Sequence, residues 1–238
     1  MVLGLIAWVS TQVLVVDGVA LAALTSNGWE SIEDVKPLPT LNIREVGVGR
    51  LKDRRLETSF VQGTDGECQI SSNPTHGVFF SGVPLVTSKV SYALDNRQSI
   101  LRQVVAEAGT RLGLPTRGYL TNVWQTNLNN STDREELVEA VSRPQVLKGD
   151  AALGDWSAVI LRWTQNGKPC TAVLNWSQAA ATTPLQRCQV RAVADFDGDG
   201  KMEIVTTSES KTAWCATLWS FANGKPYPIA DITRAQTP

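Results

Sequence analysis

Histidine is almost absent: His76 is the only imidazole in 238 residues. Chemistry that needs several histidines, such as a His-rich zinc centre, is therefore excluded. The chain also lacks GxSxG, HExxH, P-loop and GxGxxG patterns, so the common hydrolase, metalloprotease and nucleotide-binding signatures are missing. No charge of one sign dominates, with 22 Lys+Arg against 23 Asp+Glu and a net charge of −1. That balance excludes a nucleic-acid binder working by bulk charge. Cys68, Cys170, Cys188 and Cys215 contain no CxxC pair, which argues against a zinc knuckle or a thioredoxin-like site. They fit either two disulfides in one of three pairings or four small buried apolar residues. What is present is core material: 42% of residues are apolar and 19% charged, as in globular domains.

Residues 1–24 carry no Lys or Arg, and the first positive side chain is Lys36. The apolar run ends in a small-residue stretch, Ala20-Leu21-Ala22, and reads as a signal-peptide-like segment without its basic front. A membrane anchor is the second reading, although Asp17 at mid-span would cost about 2.5–3.5 kcal/mol. A buried N-terminal element is the third. Residues 25–85 are rich in turn formers, as in Gly47-Val48-Gly49, and predict irregular structure with short strands. Residues 86–238 read as a β-rich domain.

Within that domain Asp95–Leu112 predicts a helix, because Ile100, Leu101, Val104, Val105, Ala108 and Leu112 share one face before Gly113 and Pro115. Strand patterns follow. Trp156–Trp163 and Thr171–Trp176 flank Asn166-Gly167, a hairpin signal, and Asn166-Gly167-Lys168-Pro169 is echoed by Asn223-Gly224-Lys225-Pro226. The fold class is thus mainly β with one or two helices, an α+β chain built of antiparallel hairpins like propeller blades or a sandwich. Eight tryptophans invite a sugar-stacking role, but alternation along strands sends about half of them to the core.

The sharpest feature is Asp195-Phe196-Asp197-Gly198-Asp199-Gly200-Lys201-Met202-Glu203, followed by the strand-like Ile204-Val205-Thr206-Thr207. Carboxylates at alternate positions, with glycine permitting a sharp bend, can turn several oxygens toward one hard cation, and Ca²⁺ takes six to eight of them. An EF-hand is excluded because its twelfth position, where a bidentate Glu belongs, is Thr206. Glu203, in the ninth position, is the better closing ligand. Asp195, Asp197, Asp199 and Glu203 are therefore the expected calcium ligands.

At these residues the chain resembles the FG-GAP/VCBS repeat class of integrin-type propellers and exported bacterial proteins, whose loop runs Asp-x-Asp-x-Asp-Gly-x-x-Asp/Glu before a strand. A second stretch, from Asn127 to Ala140, resembles a decayed copy with Asn127, Asn129, Ser131 and Glu135 in the ligand positions. Neutral oxygens there predict a weak or empty site. Thr132 and Glu135 also form a capping box that would start a helix, and the strand assignment after Glu135 rests mainly on the resemblance. The resemblance runs from about Val83 to Ile229. It implies a secreted, periplasmic or cell-surface β-rich protein with a structural Ca²⁺ loop and a non-enzymatic binding or structural role. Expected alternatives are a carbohydrate- or protein-binding module using exposed Trp residues and a hydrolase with an unrecognised site. Partners are accordingly a protein or a carbohydrate, with no nucleic acid, and membrane contact only through an N-terminal anchor.

Overall fold

The computed structural model describes residues 11–32, 38, 40–63, 67–71, 76–84, 90–92, 103–104, 106–110, 118–128 and 135–236. The fold is mainly β, with strands in three sheets. The first contains β1 (Gln12–Val16), β2 (Val19–Thr25), β3 (Gly28–Glu30), β4 (Leu41–Gly47), β5 (Arg50–Thr58), β6 (Phe60–Gln62), β7 (Cys68–Ile70) and β8 (Val78–Phe80). Its order is β5-β4-β8-β1-β2-β7-β6, with β3 paired to β2. The second comprises β9 (Ser91–Tyr92), β10 (Tyr119–Thr126), β11 (Glu135–Val141), β12 (Trp156–Gln165) and β13 (Lys168–Gln178). The third is an antiparallel meander of β14 (Arg187–Ala194), β15 (Glu203–Glu209), β16 (Ala213–Ala222) and β17 (Lys225–Ala235).

Residues 12–25 take the buried reading of the opening apolar run. β1 and β2 form a hairpin whose turn, Asp17-Gly18, has φ of 49° and 85°, the left-handed pair that a tight hairpin requires. Both faces are covered: Leu14 and Val16 point toward the third sheet, while Val13 and Val15 join Ile32, Ile43 and Phe79 on the opposite side. Residues 25–85 likewise are more regular than expected, supplying β3 to β8 of the same sheet. Gly47-Val48-Gly49 lies at the end of the β4–β5 hairpin. Residues 1–10 lie outside the described residues. Among the described residues no helix is long and apolar enough to cross a membrane.

The third sheet lies between the other two. Ala192, Ala194, Val205, Trp214, Ala216 and Leu218 face the first sheet. Val190, Val193, Ile204 and Phe221 face the second. Two buried carboxylates stitch these layers at a bulge in β14, between Val190 and Ala192. Glu139 of the second sheet accepts the Val190 N–H at 2.6 Å, and Arg191 reaches Asp17 of the first at 2.7 Å.

Helical structure is seen at 103–104 and 106–110, where Val104 and Ala108 pack on the outer face of the second sheet. The rest of the expected 95–112 helix, including Ile100, Leu101, Val105 and Leu112, lies outside the described residues. The four cysteines are free thiols, Cys68 and Cys188 buried and Cys170 and Cys215 partly so, which is nearer the second of the two readings. Cys188 and Cys215 approach Ser208 from opposite sides across two strand spacings, which puts them about 9–10 Å apart, too far to bridge.

After β11 a 3-10 turn, Pro144–Lys148, fills the connection to β12. Asp155 anchors this connection, accepting from Arg143 Nε at 2.8 Å, Ser142 Oγ at 2.7 Å and the Ala152 N–H at 2.7 Å. Arg143 first, then those two donors, hold its carboxyl down to about 2 against the effect of burial. A depressed carboxylate gives stability that is full above its ordinary range and lost as pH falls through about 4 toward 2. Arg143→Ala is expected to lower stability in urea unfolding at neutral pH, with the deficit shrinking near pH 2. A deficit that is constant with pH would contradict the ion-pair account.

Candidate metal centre

The acidic loop joins β14 to β15, and its ends are fixed by the sheet register, which places Ala194 opposite Glu203. Phe196 points inward, meeting Phe80 edge-on at 5.2 Å between centroids and Trp29 at 6.4 Å. Asp195 stays buried beside this apolar plug, while Asp197 and Asp199 turn outward. Gly198 and Gly200, at φ 78° and 85°, supply the left-handed bends between them.

Asp195, Asp197 and Glu203 converge, each offering one carboxylate oxygen within 4.8 Å of the others. Asp195 spans the loop, accepting the Gly198 N–H at 2.7 Å and the Gly200 N–H at 2.9 Å. Glu203 is 1% exposed, and its Oε2 accepts the Phe196 N–H at 2.9 Å. Its Oε1 is buried with no hydrogen-bond partner. Such an orphan is costly, because a buried polar oxygen has lost its water and gained nothing in exchange. Burial, and then the charge of Asp197, push the Glu203 carboxyl up to about 8. Burial likewise raises Asp197, with the charges of Asp199 and Asp195 adding to the effect.

The fourth expected ligand stands apart. Asp199 accepts both the N–H and the ammonium of Lys201 at 2.7 Å. Burial alone would raise its carboxyl, but these Lys201 contacts outweigh it and hold the group low. The three converging residues offer three carboxylate oxygens to one metal ion. Backbone carbonyls and water would complete the shell.

The described ends of the second loop repeat part of this frame. Glu135, also 1% exposed, accepts the Leu128 N–H at 2.9 Å, as Glu203 does from Phe196. Leu128 is the buried plug, packed with Met202 between the second and third sheets. β11 begins at Glu135, so the strand prevails over the capping-box helix there. Asn127 occupies the place of Asp195, whereas Asn129 and Ser131 lie outside the described residues. The two loops are joined, since the Met202 N–H donates to the Leu128 carbonyl at 2.8 Å.

Reading the sequence does not single out Trp29, which comes from the short β3 yet reaches the loop. Together with Asp197, Asp199, Lys201 and Tyr227 it lines a cleft of about 420 Å³ beside the acidic cluster. No tryptophan is among the exposed large apolar side chains of the described residues, and Trp156 and Trp214 are fully buried. His76 is exposed on a turn, its Nδ1 3.9 Å from Asp17. The chain matches no protein-family model, no curated protein and no solved structure.

Proposed function

We propose that this chain is an exported or surface-associated β protein of the FG-GAP/VCBS type, non-catalytic, with one structural calcium site at Asp195, Asp197 and Glu203. The observation that carries the reading is the buried, unpartnered Oε1 of Glu203 beside two further carboxylates. A divalent cation would neutralise that cluster and satisfy the orphan oxygen. It would also fix the β14–β15 loop and, through the Met202–Leu128 bond, the neighbouring loop. The β10–β11 and β14–β15 hairpins, each with a loop whose buried apolar residue donates its N–H to a closing Glu, support the repeat reading. Asp199, paired with the exposed Lys201, is the one expected ligand that does not converge with these three.

A second reading, a carbohydrate- or protein-binding module, is favoured by the cleft that Trp29 and Tyr227 line next to the loop. The catalytic alternative draws less support, because Asp17, the carboxylate nearest His76, is already taken up by Arg191 and Trp214.

The test is thermal unfolding of the full chain in excess chelator and in millimolar Ca²⁺ or Mg²⁺. At 100 times the dissociation constant, calcium should add about 2.7 kcal/mol. Asp197→Ala should remove that gain while leaving the melting temperature in chelator little changed. Equal loss in both conditions would mean the loop is a metal-independent turn.

A further inference from the structure

The three sheets meet at a second cavity, whose lining includes no residue of the acidic loop. It has a volume of about 390 Å³ and is lined by Gly47, Val48, Arg50, Lys52, Val90, Trp124 and Arg191. The first sheet supplies the β4–β5 turn with Arg50 and Lys52, the second supplies Trp124 of β10, and the third supplies Arg191 of β14. A backbone contact closes the junction: Val48 bridges to Val193, and the Gly49 N–H donates to the Val193 carbonyl at 3.0 Å. Gly49 is required there, since a Cβ on it would lie 2.4 Å from Cβ of Val90.

The lining has three cations and no carboxylate. Two of the cations are oriented from outside the lining, Lys52 by Glu45 and Arg191 by Asp17. Arg50 makes no ion pair among the described residues. An anion entering the cavity would therefore find one uncommitted guanidinium, the fork that binds carboxylate or phosphate most strongly, beside two cations whose charge Glu45 and Asp17 already balance. Val48, Val90 and Trp124 form the rest of the wall and offer apolar and indole surface. An apolar wall with convergent polar groups, at a junction of sheets and of this volume, is the usual form of a small-molecule site.

We infer that this cavity binds a small organic anion, a carboxylate or phosphate monoester carrying an aromatic ring, with the charge on Arg50 and the ring against Trp124. Binding is independent of the metal loop. Titration calorimetry on the full chain in low salt tests it with four groups of probes: benzoate; phenyl phosphate; acetate and inorganic phosphate, which lack the ring; and benzyl alcohol, which lacks the charge. Benzoate or phenyl phosphate is expected to bind at least tenfold more tightly than any probe missing one element, and the better of the two identifies the acid group. Arg50→Glu should weaken that binding at least tenfold without moving the melting temperature, because Arg50 is exposed and makes no structural bond. Trp124→Phe should abolish the ligand-induced change in tryptophan emission, a readout that does not depend on Arg50. Failure of both ring anions to bind at about 10 mM would overturn the inference. So would acetate or inorganic phosphate binding as tightly as the ring anions, or affinity unchanged in Arg50→Glu.

Discussion

Asp17→Ala is expected to destabilise the chain by about 3–5 kcal/mol, the cost of breaking a buried ion pair from one side. Asp17 sits in the β1–β2 turn but bonds across to the third sheet. Its carboxylate accepts from Arg191 at 2.7 and 3.1 Å and from the Trp214 indole N–H at 3.1 Å. It also accepts the Gly77 N–H at 2.7 Å, tying β1 to the segment that leads into β8. Alanine would leave the Arg191 guanidinium partly buried without its counter-charge and the Trp214 N–H buried without an acceptor. It would also impose the φ of 49° on a residue that disfavours it. The melting temperature should fall by roughly 6–20 °C, at about 2–4 °C per kcal/mol for a chain of this size.

Asp17→Asn separates the parts. Asparagine tolerates the turn and keeps an acceptor oxygen, but its NH₂ faces donors, so it should retain only part of the stability. Adding Arg191→Met to Asp17→Ala should recover part of the loss, because a paired apolar replacement leaves no stranded charge. Urea unfolding decides the matter. A loss below about 1 kcal/mol for Asp17→Ala would show that the three-sheet junction does not depend on this carboxylate.

The same residue explains what was hardest to read in the sequence. A strand covered on both faces has no period-2 alternation, so β1 and β2 read as one apolar run, much as a leader does. Asp17-Gly18 looked like an interruption of that run. It is a turn dipeptide between two apolar segments, a signal as strong as the Asn166-Gly167 and Asn223-Gly224 turns that were legible. Those later hairpins could be read because runs of branched and aromatic residues flank an Asn-Gly turn. At the candidate site the ligand types and their spacing were legible, but their partners were not. That Asp199 would bond Lys201 while Glu203 turned inward depends on which side of the Phe196 plug each residue falls, and only the neighbouring sheet decides that.

Glu203→Gln should change stability in opposite directions in chelator and in calcium. In the metal-free protein the Glu203 carboxyl titrates at about 8, against an ordinary value of 4.5. The folded state therefore holds a proton that the unfolded chain releases between those values, and by linkage the stability of the wild type must fall as pH rises through that window. Glutamine cannot ionise. It can still accept the Phe196 N–H through its carbonyl, and its NH₂ group faces the Asp195 and Asp197 carboxylates as a donor where Glu203 presents an unpartnered oxygen. In chelator at about pH 8–9 the variant should thus be more stable than the wild type, by about 2 kcal/mol, with a flatter dependence on pH.

In calcium the order should reverse. The wild type gains the binding free energy, about 2.7 kcal/mol at 100 times the dissociation constant, while the variant, lacking one of three charged ligands, gains little. Calcium affinity of the wild type should also rise with pH up to about 8, since the ion can use Glu203 only after its proton leaves. A purely structural Glu203 would make the glutamine variant weaker by the same amount in both conditions. Thermal unfolding of wild type and variant at pH 6 and pH 9, in chelator and in calcium, separates the two accounts, because only a ligand role gives a difference whose sign depends on the metal.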